Sequence, residues 1–125
     1  MVRSIVSIIC ASVIIFFGVL YEGKHIDNTF NELNLGFHLL YDKIDEQTAT
    51  SDDVLSIQKL WLEKKKSLHV FIPHTEIKEF DMWLSETVTL VRDKEWADAI
   101  SKLEVLIELS EQIPLTFKFR LGNIF

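Results

Sequence analysis

Cysteine occurs once in 125 residues, proline twice and glycine four times. One thiol excludes an internal disulfide framework and a four-cysteine zinc site. So little glycine and proline excludes a collagen-like or linker-rich chain and leaves long disorder without its usual composition. Basic residues are also in short supply, 13 Lys and Arg against 19 Asp and Glu, for a formal net charge of −6. Nucleic acid is therefore excluded as a primary partner, because a phosphate backbone demands clustered cations on one face. Charge of either sign is nearly missing from the first twenty residues, where Arg3 stands alone. Chemistry-bearing motifs are scarce too. No glycine-rich phosphate loop is present, no Ser sits in a nucleophile elbow, and no His pair lies three or four apart.

What is present begins with a long apolar run. From Ser4 to Tyr21 eighteen residues carry no charge, and the small hydroxyls among them can bond back to helical carbonyls. At about 1.5 Å per residue the run reaches roughly 27 Å, close to a hydrocarbon core of about 30 Å. Tyr21 falls at headgroup depth, and Glu22, Lys24 and Asp27 close the run. A cleaved signal is disfavoured by bulky Leu20 near the cleavage positions, and a lipoprotein signal by Ile9 before Cys10. A buried core helix is disfavoured because the run has no polar face and a domain of 125 residues seldom hides such a helix on all sides. The expectation is an uncleaved anchor over residues 1–21, holding the lipid bilayer through residues 4–21. Arg3 against Lys24 favours a cytoplasmic N-terminus and an extracytoplasmic remainder at the cell membrane.

Residues 22–125 read as an all-α, up-and-down antiparallel bundle of about four helices, the first continuing out of the membrane. Ile26, Phe30, Leu33, Phe37, Leu40 and Ile44 are spaced 4, 3, 4, 3 and 4, a heptad seam on a helix over about 22–47. Packing inside the same chain is the first reading of that seam, and a homodimer through Ile26–Ile44 is the second. Ser51, with Asp52 and Asp53 behind it, is the expected cap of a helix over 52–71 that turns Val54, Ile57, Trp61, Leu68 and Phe71 inward. Pro73 separates it from a helix over 75–92 capped by Thr75, with Ile77, Phe80, Leu84, Val88 and Val91 on its apolar face and Trp83 adjoining. A helix over 94–113 carries Trp96, Ala99, Ile100, Leu103, Leu106, Ile107 and Ser110 and is closed by Pro114. The alternating tail from Leu115 to Leu121 lacks a partner strand, so a short separate helix over 115–122 is expected beyond the proline.

Three groups of residues are candidates for function. Lys64, Lys65 and Lys66 form either a solvated face balancing nearby acids or a surface for anionic headgroups or an acidic partner. Phe117, Phe119 and Phe125 form an aromatic tail expected to stay partly exposed and so to complete an interaction surface. Trp61, Trp83 and Trp96 are either ordinary core or the lining of a pocket between helices, suited to a small apolar or cationic ligand. His69 and His74 are five apart across a proline-bearing turn, with Glu76 and Glu79 nearby, which is poor spacing for zinc. Glu104, Glu108 and Glu111 recur at helical spacing as a solvated side rather than as acid–base pairs. No cofactor, metal or catalytic residue is expected, and no enzyme activity.

Two likenesses bear on function. Trp96-Ala97-Asp98-Ala99-Ile100 through Leu103, Leu106 and Pro114 is similar to the second helix of a tetratricopeptide repeat. Only one unit is visible where stacking needs about three, so an ordinary hairpin with Ala99 at a close approach is the simpler reading. The whole chain resembles a family of short single-span proteins of clostridia-like, often spore-forming bacteria, filed as domain-of-unknown-function family 4363. That resemblance rests on the N-terminal span, on Trp61-Leu62-Glu63-Lys64-Lys65 leading to Ile72-Pro73-His74, on Ala99-Ile100-Ser101-Lys102-Leu103, and on Asn123-Ile124-Phe125. It implies membrane attachment and a helical domain, and brings no catalytic residue. The functional expectation is an accessory or protein-interaction subunit at the bacterial cell envelope, meeting another membrane protein. The alternative is a ligand-binding or sensor module using the three tryptophans.

Overall fold

The apolar run and the heptad seam lie on one uninterrupted helix, α1 (Val2–Asp45), about 66 Å long. Three more helices follow in a computed structural model that describes residues 2–69 and 71–124, the side chains of Val19, Glu22, Asn123 and Ile124 excepted. They are α2 (Ser51–Leu68), α3 (His74–Arg92) and α4 (Trp96–Ile124). Each packs on its neighbours in a closed square, α1 on α2 and α4, and α3 on α2 and α4, in up-and-down order. No strand occurs among the described residues.

The seam supplies the centre of the core. Ile26, Phe30, Leu33, Phe37 and Ile44 are fully buried and Leu40 nearly so. Spacing by three and four keeps all six on one stripe of α1, where they meet Trp61 of α2 and Phe80 of α3. The Trp61 and Phe80 rings lie 4.2 Å apart, and Phe30 stands edge-on to Phe80 at 6.1 Å. Ala99, Leu103, Leu106 and Ile113 close the core from α4. With the seam inside its own bundle, a homodimer through Ile26–Ile44 would first have to open that bundle.

Helix ends follow local chemistry, with three corrections. The cap of α2 is Thr50, not Ser51, because only Thr50 has an acid three residues on. Asp53 donates its N–H to Thr50 Oγ1 at 3.3 Å and accepts the Thr50 N–H at 2.9 Å, a complete capping box. Thr75 does not cap α3; the helix begins one residue earlier, at His74, with Pro73 in the cap position and no side-chain cap bond. Helix α2 also stops at Leu68, and Phe71 sits half-buried in the following loop. Both α1 and α3 end in the six-to-one and five-to-two bonding of a Schellman motif, which places non-glycine residues, Gln47 (φ 59°) and Lys94 (φ 60°), in the left-handed region.

The largest departure concerns the tail. Pro114 lies inside α4, so the expected break and separate helix over 115–122 do not occur. Proline removes one backbone donor and crowds the preceding turn, which ends an isolated helix. Here Ile113, Pro114 and Phe117 are all buried, and this burial carries the helix past the lost bond.

The N-terminal half of α1 is different in kind. Every described side chain from Val2 to Tyr21 is exposed, among them twelve large apolar ones. Leaving these in water would cost on the order of 20 kcal/mol at about 2 kcal/mol each. The helix is long and apolar enough to cross a membrane.

Candidate functional site

Alternating direction brings the end of α1's apolar run, the α2–α3 loop and the last turns of α4 to one end of the bundle, its base. The register between α1 and α4 is fixed by three contacts. Gly23 faces the Phe117 ring, Lys118 Nζ lies 2.9 Å from Asp27 Oδ2, and Asn34 Nδ2 donates to Ser110 Oγ at 2.8 Å. The ring of Phe117 meets Phe71 edge-on at 6.3 Å, and Arg120 reaches Glu76 Oε1 at 3.5 Å across to the start of α3. On the other side His25 Nε2 and Ser67 Oγ are 3.1 Å apart, and the rings of His69 and His74 lie 6.1 Å from each other.

Charge is sorted between the two ends. Residues 22–27, 64–78 and 117–124, at the base, hold seven Lys and Arg, of which Lys65 is neutralised by Asp81 just above, against three Asp and Glu. Residues 41–53 and 86–102, at the far end, hold four against nine. The net acidity of the chain is thus carried away from the apolar run.

The lysine run is divided by the fold. Lys65 turns toward α3, where its Nζ lies 3.0 Å from Asp81 Oδ2 while the Trp61 indole donates to Asp81 Oδ1. That carboxylate satisfies the polar atom of a tryptophan only 1% exposed, so Lys65 belongs to an α2–α3 lock. Lys64 is half-buried and Lys66 exposed. Among the described residues neither forms an ion pair, and nor does Lys24.

The aromatic tail is divided as well. Phe119 is 70% exposed, but Phe117, expected to stay partly exposed, is buried, because it falls on the same stripe of α4 as Leu103, Leu106, Ser110 and Ile113. Phe125 lies outside the described residues.

The three indoles have separate surroundings. Trp61 is in the core, Trp83 lies beneath Lys102 Nζ at 4.6 Å from the ring centre, and Trp96 is half-buried in the first turn of α4. The buried indole nitrogen of Trp83 has no partner among the described residues. A groove of about 540 Å³ between α3 and α4 is lined by Ser85, Glu86, Thr89, Leu90, Asp98 and Lys102, and no tryptophan lines it. Among the described residues no group of three His, Cys, Asp or Glu is arranged to hold a metal ion.

The base was not visible as a unit in the sequence, although its components were. Nothing local marks Lys118 and Arg120, and the spacing places Phe71 only on the inward face of the second helix; up-and-down counting from Tyr21 brings all three to one level, since every second helix end returns there. Asp81 left no signal, as its partners lie sixteen and twenty residues away on another helix.

A family model described as a domain of unknown function, DUF4363, matches residues 21–124. The chain belongs to the DUF4363 family. The match begins where the apolar run ends, so the DUF4363 region takes in the bundle half of α1 and all of α2, α3 and α4. No curated protein and no solved structure matches the chain.

Proposed function

We propose that this DUF4363 protein is a single-pass membrane protein whose bundle serves as an accessory, protein-interaction subunit at the cell envelope, without catalysis of its own. The observation that supports this most is the continuity of α1: a lipid-compatible stretch with no buried side chain among those described runs into the buried seam of the bundle with no linker between them. A rigid junction of this kind holds the bundle at fixed height and orientation and raises its effective concentration toward a second membrane protein. The N-terminus is cytoplasmic and the bundle exported in this reading, in accord with Arg3 on the short side of the span.

The surface offered to the partner is the outer face of α1, opposite the seam, where Leu35 and Leu39 stand one turn apart at 63% and 60% exposure. An apolar pair at this height is reachable by a neighbouring membrane protein standing beside the span. The test is affinity capture of the full chain from detergent-solubilised native membranes, with a Leu35→Glu, Leu39→Glu variant in parallel. A specific membrane protein recovered with the natural chain and lost with the variant is the expected result. Equal recovery from both would refute the Leu35–Leu39 surface, and none from either would refute the subunit reading.

A further inference from the structure

The base of the bundle lies at a level that a spanning α1 would place inside the membrane interface. Helices α1 and α4 are antiparallel, with Gly23 opposite Phe117 and Asp27 beside Lys118. Continued at about 1.5 Å per residue, this register sets Arg120 level with about Glu22 and Leu121 level with about Tyr21. The last turn of α4 then reaches roughly 4–5 Å past the start of the apolar run. If α1 enters lipid at Tyr21, this turn cannot remain in bulk water.

The side chains at that level suit the same setting. Phe119 points away from the bundle at 70% exposure, close to the height of Tyr21 at 71%, so two aromatic rings stand where membrane proteins carry an interfacial belt. Lys24, Lys66 and Lys78 are exposed around them and Lys64 half-exposed, beyond the paired Lys118 and Arg120. The three acids of the base are Glu22, Asp27 and Glu76, of which Asp27 and Glu76 are engaged by Lys118 and Arg120. The opposite end has the reverse balance, so the charge asymmetry runs along α1 with its positive side toward the apolar run. A run of about 27 Å is also slightly short for a core of about 30 Å, and mismatch of that sign draws flanking residues toward the interface.

We infer that the base of the bundle, formed by the last turns of α4 and the α2–α3 loop, is a second membrane contact that seats on anionic lipid headgroups. The inference rests on the reading of α1 as a span. An acidic protein is a poorer occupant, because it would have to fit between the base and the bilayer directly beneath it. The contact fixes the bundle upright, with its acidic end outward.

The test uses the full chain with Cys10→Ser, labelled at one introduced cysteine with an environment-sensitive fluorophore. Gly122→Cys reports the base, since nothing lies within 4 Å of a side chain built there. Ile14→Cys reports the span and Ser101→Cys the far end. The protein is reconstituted into phosphatidylcholine vesicles with brominated tails, with and without about one third phosphatidylglycerol. Quenching at 122 several-fold above that at 101, stronger with phosphatidylglycerol, is the expected result. Lys64→Glu with Lys66→Glu should lower quenching at 122 in the anionic vesicles only, each lysine shifting the seating equilibrium about fivefold. Strong quenching at 14 with 122 no different from 101 would overturn the inference while leaving the span intact. Equal quenching at 122 in both vesicle types, unmoved by the charge reversal, would overturn the headgroup contact. An unquenched label at 14 would remove the span reading and the inference together.

Discussion

Residues 2–21 and 22–45 of α1 share one helix axis and an abundance of large apolar side chains, yet their burial is opposite. In the first stretch every described side chain is exposed, whereas in the second six apolar residues form the centre of a core. The difference lies in pattern rather than content. Apolar residues all round a helix suit a solvent that is apolar on every side, while apolar residues at every third and fourth position suit one packed face. Helix formation alone does not distinguish the halves, because backbone bonding is the same in both.

The sharpest way to break this comparison is to truncate one large side chain in each half. Phe30→Ala should lower the stability of the bundle by about 3–5 kcal/mol, since it empties a site among Trp61, Phe80 and the seam. Ile14→Ala should leave bundle stability within about 0.5 kcal/mol, as nothing in the bundle touches it. Denaturant titration in detergent, followed by tryptophan emission, measures both. Equal losses would mean that the two halves are not independent.

Asp81→Ala comes next. It leaves the buried Trp61 N–H without an acceptor and should cost about 1–3 kcal/mol, whereas Lys65→Met removes only a partly exposed ion pair and should cost less than about 1 kcal/mol. The same titration separates them, and a larger loss from Lys65→Met would show that the lysine rather than the indole governs this lock.

A smaller effect is expected at the start of α2. Thr50→Ala should cost about 1 kcal/mol through the lost cap. The carboxyl of Asp53 is held below the usual aspartate range by Lys43, whose Nζ donates to it at 2.9 Å, and by the Thr50 backbone N–H. A folded pKa below the unfolded one means that this contribution is complete above the ordinary aspartate value. It fades as pH falls through the lower folded one. Asp53→Asn should therefore flatten that acid limb of a stability-against-pH curve while leaving its neutral region merely lowered.

The smallest effect has the opposite sign. Gln47→Gly or Lys94→Gly should raise stability by about 0.5–1 kcal/mol, because each stands at a left-handed position that favours glycine. A loss at both sites in thermal unfolding would show that these turns are not strained.

How much of this was legible depended on the range of the interaction. The seam was readable because spacing along one helix is enough to predict a buried stripe, and all six of its residues are in the core. The cap at Thr50 was readable in principle: a capping box needs an acid three residues on, which Thr50 has and Ser51 lacks. Pro114 misled because its local cost is real and only burial against another helix offsets it. The Trp61–Asp81–Lys65 lock and the gathering of the base depend on register between helices, which no local pattern encodes.

The central claim is that one helix passes through two solvents, and a spin-label accessibility scan along α1 of the reconstituted full chain tests it most directly. The account predicts uniformly high oxygen access without helical oscillation over residues 5–20. It then predicts an oscillation of period 3.6 over 26–44, with minima at Ile26, Phe30, Leu33, Phe37, Leu40 and Ile44. A 3.6-residue oscillation that also runs through residues 5–20, or access there to a water-soluble collider, would contradict it.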